Sequence, residues 1–221
     1  MVQQASRSHR PISVVASALV LAATLAACNH GENGSATGSG TPAATATPAA
    51  APAPPAPPPP PPRQLAWSDR VDMTLWSPKR VQLYKVALKQ APPSVLAVLR
   101  IPRLKLEVPV YDGTSDAILD LAAGRIEDTA LPGTPGNVGI AAHRDGFFRV
   151  LKDIKEGDTL ELDTPVALQH YRVEWIKITV PEDVSVIDPT PSNAVTLVGC
   201  YPFYYQGSAP QRFIVRAVPA S

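Results

Sequence analysis

Three features are scarce in this sequence: net charge, long apolar runs and cysteine. The formal net charge of the 221 residues is +1, so the chain lacks the basic surface of a nucleic-acid-binding protein and we expect no nucleic-acid partner. The N-terminal apolar run, residues 12–27, is shorter than the about 20 residues that a membrane-spanning helix needs. Cysteine occurs twice, as Cys28 and Cys200.

The first 27 residues have the pattern of an export signal. Arg7 and Arg10 precede the apolar run, which ends in "LAAC", with Cys28 as the last letter. Small residues at the end of such a run are typical of a cleavage site, and the tetrad resembles a bacterial lipoprotein box. We therefore predict a lipoprotein-type signal peptide with lipidation of Cys28. A signal peptide or short uncleaved anchor that happens to contain a cysteine remains open.

Residues 28–63 have almost no side chains that could form a core. A Gly/Ser/Ala-rich part is followed by six consecutive prolines, residues 57–62. Such composition favours a disordered tether whose proline run is a stiff polyproline II spacer. A binding site for a proline-recognising partner is the alternative.

Residues 64–221 are long enough for one domain with a core. In the segment 64–94, Ser77 and Pro78 predict the start of a helix, and we interpret this segment as an N-terminal helical extension. The remainder, residues 95–221, shows short runs of alternating hydrophobicity separated by turn residues. A short helix is predicted to begin near Ser115 and to end at Gly124. Many short strands and few helices predict an antiparallel barrel or a sandwich.

Three residues in this region suggest thiol chemistry. His143 and Cys200 each end a predicted strand, and Arg212 begins the strand that follows Cys200. If residues 196–199 and 213–218 form a long-looped hairpin, Cys200 and Arg212 share one edge of the sheet. A thiolate is a nucleophile for acyl transfer, an imidazole can move the protons, and a guanidinium can stabilise an oxyanion.

From the residues alone, other interpretations stay open. A lone cysteine is often a buried small hydrophobe, and a histidine before Asp–Gly or an arginine at a strand edge is often structural. Asp145 is either a turn residue or a group that orients His143. His170, within a predicted strand, is interpreted as structural or exposed. His143, His170 and Cys200 lack the spacing of metal ligands, so we expect no metal and no cofactor.

The stretch "GNVGIAAHRDGFF", the later "TLVGC" and Arg212 resemble the sortase family. The resemblance covers roughly residues 95–219 and is greatest to the class D group. It implies an eight-stranded β-barrel with short helices, in an all-β dominated fold. It also implies a cysteine transpeptidase in which His143, Cys200 and Arg212 are catalytic. One departure is Gly199, where the motif usually has threonine, and a possible lipid tether in place of a transmembrane helix is another.

The resemblance also implies partners and a location. The substrate would be a protein with a C-terminal sorting motif of LPXT type, cleaved through a thioacyl-enzyme. The acceptor would be an amine, either a pilin lysine or peptidoglycan, and the enzyme would be membrane-anchored on the extracytoplasmic face of a bacterial cell envelope. Two alternatives are a non-catalytic envelope protein on the same scaffold, with Gly199 marking lost activity, and a simple cysteine peptidase.

Overall fold

The structure, a computed structural model, describes residues 61–220. The predicted leader (1–27), the candidate lipidation site Cys28 and nearly all of the predicted tether (28–63) lie outside the described residues. Within residues 61–220, no helix has both the length and the hydrophobicity that crossing a membrane requires.

Eight strands of the described chain form a closed barrel, so the predicted fold class is confirmed. Around the barrel the order is β1-β2-β3-β4-β7-β8-β6-β5. Neighbouring strands are antiparallel except in two pairs, β2–β3 and β4–β7, which are parallel. The strands are β1 (Ala97–Ile101), β2 (Leu106–Asp112), β3 (Ala123–Arg125), β4 (Asn137–Ala141), β5 (Thr159–Asp163), β6 (Leu168–Thr179), β7 (Ala194–Tyr201) and β8 (Gln211–Pro219).

The first helix, α1 (Pro78–Ala87), begins where the sequence predicts. Ser77 Oγ accepts a hydrogen bond from the Arg80 amide at 3.1 Å, and proline fits the first turn because its missing N–H would have no partner there. The helix packs on the barrel through an aromatic cluster. Trp76 lies edge-to-face against Tyr84 and Phe147, with ring centroids 5.3 and 4.8 Å away.

The second helix, α2 (Asp116–Leu121), is shorter than expected. The prediction that Gly124 ends it was wrong, because Gly124 lies in β3. A Cβ atom at this position would stand 2.1 Å from the carbonyl oxygen of Gly113. Glycine is therefore required for the close approach of two backbone segments and not for a helix terminus.

The core of the barrel is formed by buried apolar side chains from the strands. A short 3₁₀ helix after β4 (Phe147–Asp153) adds Phe148 and Leu151, both fully buried. Burying one such side chain contributes about 1.5–3 kcal/mol to folding. The other large, fully buried side chains include Leu99, Ile101, Ile140, Leu160, Leu162, Leu197 and Ile214.

Candidate active site

Cys200 and Arg212 face each other across the β7–β8 ladder, as the predicted hairpin requires. The antiparallel register pairs Cys200 directly with Arg212, and directly opposed residues present their side chains on the same side of a sheet, with Cβ atoms about 5 Å apart. Both residues are partly exposed. Within residues 61–220, Cys200 is a free cysteine.

His143 reaches the same end of the barrel through the parallel pair β4–β7. In that register the last residue of β4, Ala141, lies opposite Val198. His143 and Cys200 each follow two residues later, and both line the same cleft. A tight turn follows: the carbonyl of His143 accepts hydrogen bonds from the amides of Gly146 at 3.1 Å and Phe148 at 3.2 Å. Because Phe148 is buried in the core, this turn fixes the backbone position of His143.

His143 and Cys200 both line a cleft of about 860 Å³. Its walls are the N-terminal part of α1, the turn after β4 and the long loop between β7 and β8, including Tyr204 and Tyr205. A second cleft, of about 500 Å³, lies between residues 68–76 and the barrel and contains none of the predicted site residues. His170 lies outside both clefts, on the exposed face of β6.

Arg212 is near Cys200 in register, but its guanidinium does not line the cleft. Its Nη1 donates hydrogen bonds to the carbonyls of Ala209 at 3.3 Å and Gln211 at 3.1 Å. Ala209 lies in the long β7–β8 loop and Gln211 is the first residue of β8. Both carbonyls are neutral and are therefore weaker acceptors than an oxyanion. The predicted role of Arg212 therefore requires its side chain to exchange these carbonyls for the oxygen of a bound substrate.

The carboxylate nearest the His143 imidazole is Asp120 on α2, which the sequence did not indicate. Asp120 Oδ1 lies 3.4 Å from His143 Nε2, and this buried nitrogen has no hydrogen-bond partner among the described residues. The same oxygen accepts a hydrogen bond from Nη1 of Arg80 on α1. Asp120 therefore lies between a permanent cation and the imidazole.

Asp145, the other candidate for orienting His143, makes different contacts. Its carboxylate accepts hydrogen bonds from Ser77 Oγ at 2.8 Å and from Arg80 Nε at 3.1 Å. Burial acts to raise the pKa of Asp145, but the hydrogen bond from Ser77 and the charge of Arg80 together hold it below its usual value. Asp145 thus anchors α1 to the turn after β4, so the extension forms one wall of the site.

The pKa of His143 lies below the ordinary value for histidine. Burial is the main cause, and the positive charge of Arg80 acts in the same direction, whereas Asp145, Asp120 and Asp116 oppose it. Neutral imidazole is therefore the dominant form at neutral pH, which suits a group that must accept a proton from a thiol.

We predict that two substitutions move the pKa of His143 in opposite directions. Asp120→Asn removes a negative charge and leaves Arg80 less compensated, so the pKa should fall further. Arg80→Gln removes the positive charge, so the pKa should rise. NMR titration of the His143 ring protons measures both, with Asp153→Asn, an exposed acid paired with Lys152, as the control that leaves the midpoint in place. A wild-type midpoint at or above 6.5, or two shifts of the same sign, would contradict this assignment.

Comparison with known proteins agrees with the fold. The family model described as the sortase domain matches residues 99–220. Sortase D of Bacillus subtilis is 30% identical over 132 residues, which are 59% of this chain and 67% of that protein. Sortase SrtE1 of Streptomyces coelicolor is 33% identical over 125 residues, 48% of this chain, but the match spans only 36% of that longer protein.

Two solved structures share the barrel. Sortase E1 from Streptomyces coelicolor, solved with a tripeptide in its active site, has 30% identity and a TM-score of 0.53, covering 60% of this chain and 91% of that one. Sortase A from Corynebacterium diphtheriae has 28% identity and a TM-score of 0.54, covering 69% and 73%. With a family match over more than half of its length, this chain belongs to the sortase family of cysteine transpeptidases.

Proposed function

We propose that this sortase cleaves a Thr-containing motif of LPXT type near the C-terminus of a protein substrate and transfers the acyl part to an amine. The observation that carries the proposal is the meeting of His143, Cys200 and Arg212 at one end of the adjacent strands β4, β7 and β8. The acceptors considered are a pilin lysine and a peptidoglycan amine, in surface protein anchoring or pilus assembly.

In the first half-reaction, Cys200 attacks the carbonyl carbon of the threonine. His143 takes the thiol proton, the C–S bond forms, and the carbonyl oxygen becomes an oxyanion to which Arg212 donates hydrogen bonds. The C–N bond then breaks, and His143 gives its proton to the departing amine. The product is a thioacyl-enzyme and a shortened peptide with a new amino terminus.

In the second half-reaction, an acceptor amine attacks the thioester carbonyl. His143 removes a proton from the amine, a C–N bond forms, and the C–S bond breaks. The Cys200 sulfur regains its proton from His143, which returns the enzyme to its starting state. The leaving and the entering amine therefore both pass on the His143 side of Cys200.

Gly199 does not argue for lost activity. It is buried, and a Cβ atom there would meet Phe148 at 3.7 Å, an ordinary van der Waals contact. It does not line the cleft. A side chain could therefore be accommodated at this position, and the position does not face a substrate in the cleft. Glycine here is compatible with a catalytically competent Cys200.

We further infer that the enzyme acts on the extracytoplasmic face of a bacterial membrane, held there through lipidated Cys28. The apolar run that ends in "LAAC" and the proline-rich tether support this inference. Metabolic labelling with a fatty acid tests it: the label should be lost in Cys28→Ala, and a label that persists in that variant would exclude Cys28 as the site.

A library of C-terminal pentapeptide substrates, assayed with and without an added amine, tests the reaction type. We expect LPXT-type members to be cleaved after threonine and the added amine to divert the product from acid to amide, both read by mass spectrometry. A product that stays entirely acid at saturating amine would indicate a simple cysteine peptidase. Cleavage confined to members without the motif would overturn the proposed substrate.

A further inference from the structure

The cleft beside Cys200 has more positive charge than its own carboxylates can balance. Among the residues lining it, Arg80 is paired with Asp120 and Asp145. Lys79, Arg144 and Arg149 also line the cleft, and none of these three has a carboxylate within ion-pair distance in the described part of the chain. Asp145 is the one acidic lining residue, and it is already bound to Arg80 and Ser77.

Arg149 is the most unusual of the three because it is buried, with 7% of its surface exposed. Its Nη1 donates to the carbonyl of Phe203 at 2.7 Å, and its guanidinium lies over the Tyr204 ring at 4.5 Å. Its Nε is buried with no hydrogen-bond partner in residues 61–220. A buried cation without a counter-ion is costly, so this side chain is poised for an anion.

Arg144, which is less buried than Arg149, has a similar arrangement. Its Nη2 donates to the carbonyls of Tyr205 at 2.9 Å and Gly207 at 2.8 Å, whereas its Nη1 is buried with no partner among the described residues. Both arginines thus contact the loop that follows Cys200 and keep donors unused. Two guanidinium groups that line one cleft form a suitable site for a carboxylate, whose two oxygens can accept several hydrogen bonds.

In the proposed reaction, amines leave and enter on the His143 side of Cys200, in the cleft that Arg144 and Arg149 also line. An isolated ammonium, such as the end of a lysine side chain, would be repelled by the unpaired cations. An amine that is accompanied by a carboxylate would have its own charge balanced and would supply the missing anion. We propose that the acyl acceptor carries a carboxylate near its reactive amine and that Arg149, assisted by Arg144, binds this carboxylate. The inference rests on the proposed transpeptidation.

Matched acceptors test the proposal. Glycine is compared with glycinamide, and glycylglycine with its amide, by the rate at which each captures the thioacyl-enzyme formed from a cleaved library peptide. Each acid-to-amide ratio is compared between variants, so that differences in amine basicity cancel. Arg149→Gln should lower at least one ratio roughly tenfold, as expected for one charge-assisted hydrogen bond. Arg149→Lys should retain part of the wild-type acid-to-amide ratio. Arg172 is an exposed arginine on β6, and Arg172→Gln should change the ratio less than twofold.

Unchanged ratios in a folded Arg149→Gln, verified by thermal unfolding, would overturn the proposal. The carboxylate could also belong to the departing half of the donor, so donors that end in a free acid and in an amide are compared. If Arg149→Gln slows the reaction only with donors that end in a free acid, whichever acceptor is used, the assignment of the carboxylate to the acceptor is overturned.

A second probe does not need a sorting motif. Iodoacetate and iodoacetamide alkylate thiols and differ by one carboxylate, and labelling of the Cys200 peptide in the full-length protein is followed by mass spectrometry. Relative to free cysteine, Cys200 should favour iodoacetate, and Arg149→Gln should reduce that preference several-fold while Arg172→Gln does not. No preference for iodoacetate in the wild type would overturn the carboxylate site. If this preference is present but no peptide acylates the enzyme, the proposed transpeptidation has failed and the anion site stands.

Discussion

Cys200→Ala is expected to lower the rate of peptide cleavage by at least about 10⁴-fold. The substitution removes the sulfur that forms the thioester, and neither His143 nor Arg212 can replace a nucleophile. Cys200→Ser keeps the size of the side chain but not the acidity of the thiol, so it should also be nearly inactive. Initial rates with a peptide from the library screen measure both variants.

The chain itself offers a matched control for this experiment. Cys28→Ala removes the other cysteine and should leave the cleavage rate of a soluble peptide unchanged. Because Cys200 is only partly buried at the end of β7, Cys200→Ala should shift the melting temperature by no more than about 4 °C. A folded Cys200→Ala protein that still cleaves within tenfold of the wild type would show that another group is the nucleophile.

Arg212→Gln should lower the rate of acylation by about 10²- to 10³-fold, the loss typical of removing an oxyanion donor. The register places Arg212 directly opposite Cys200, and the fork of a guanidinium can hold both an oxyanion and a neighbouring substrate carbonyl. Arg212→Lys keeps the charge but not the fork, so we expect partial activity. Single-turnover kinetics, which separate binding from acylation, provide the measurement.

The control for Arg212 must separate a chemical role from a structural one. In the present conformation the Arg212 side chain has two hydrogen-bond partners among residues 61–220, the carbonyls of Ala209 in the adjoining loop and of Gln211 at the start of β8. If its role were to shape this loop alone, Arg212→Gln would mainly weaken peptide binding and would slow alkylation of Cys200. We expect instead a loss in the acylation step with alkylation by iodoacetamide nearly unchanged, and Arg172→Gln should affect neither. Acylation within threefold of the wild type in Arg212→Gln would contradict the proposed role.

Local patterns predicted much of the barrel because they depend on neighbouring residues. Alternating hydrophobicity defined most of the strands, and Ser77–Pro78 marked the start of α1. The hairpin of β7 and β8 joins segments that follow each other in the sequence, so the pairing of Cys200 with Arg212 could be derived from strand order alone. The number of strands, in contrast, came from the family resemblance.

What the sequence could not predict are the contacts between distant segments. The parallel pairing of β4 with β7, which brings His143 to Cys200, joins residues more than fifty positions apart and leaves no local signature. The position of Asp120 beside His143 depends on how α2 packs against α1, and a lone aspartate on a short helix gave no signal. Gly124 was misread because a glycine needed for close backbone approach has the same sequence pattern as one that ends a helix.

Intact-mass spectrometry of the enzyme during turnover of a cleaved peptide can capture the thioacyl intermediate. At high peptide and without added amine, we expect a population heavier by the mass of the acyl fragment, with the adduct mapped to Cys200 and removed by an amine or by hydroxylamine. The adduct should be missing in Cys200→Ala. Continued cleavage with no adduct even after rapid acid quenching, or an adduct mapped to another residue, would contradict a thioester at Cys200.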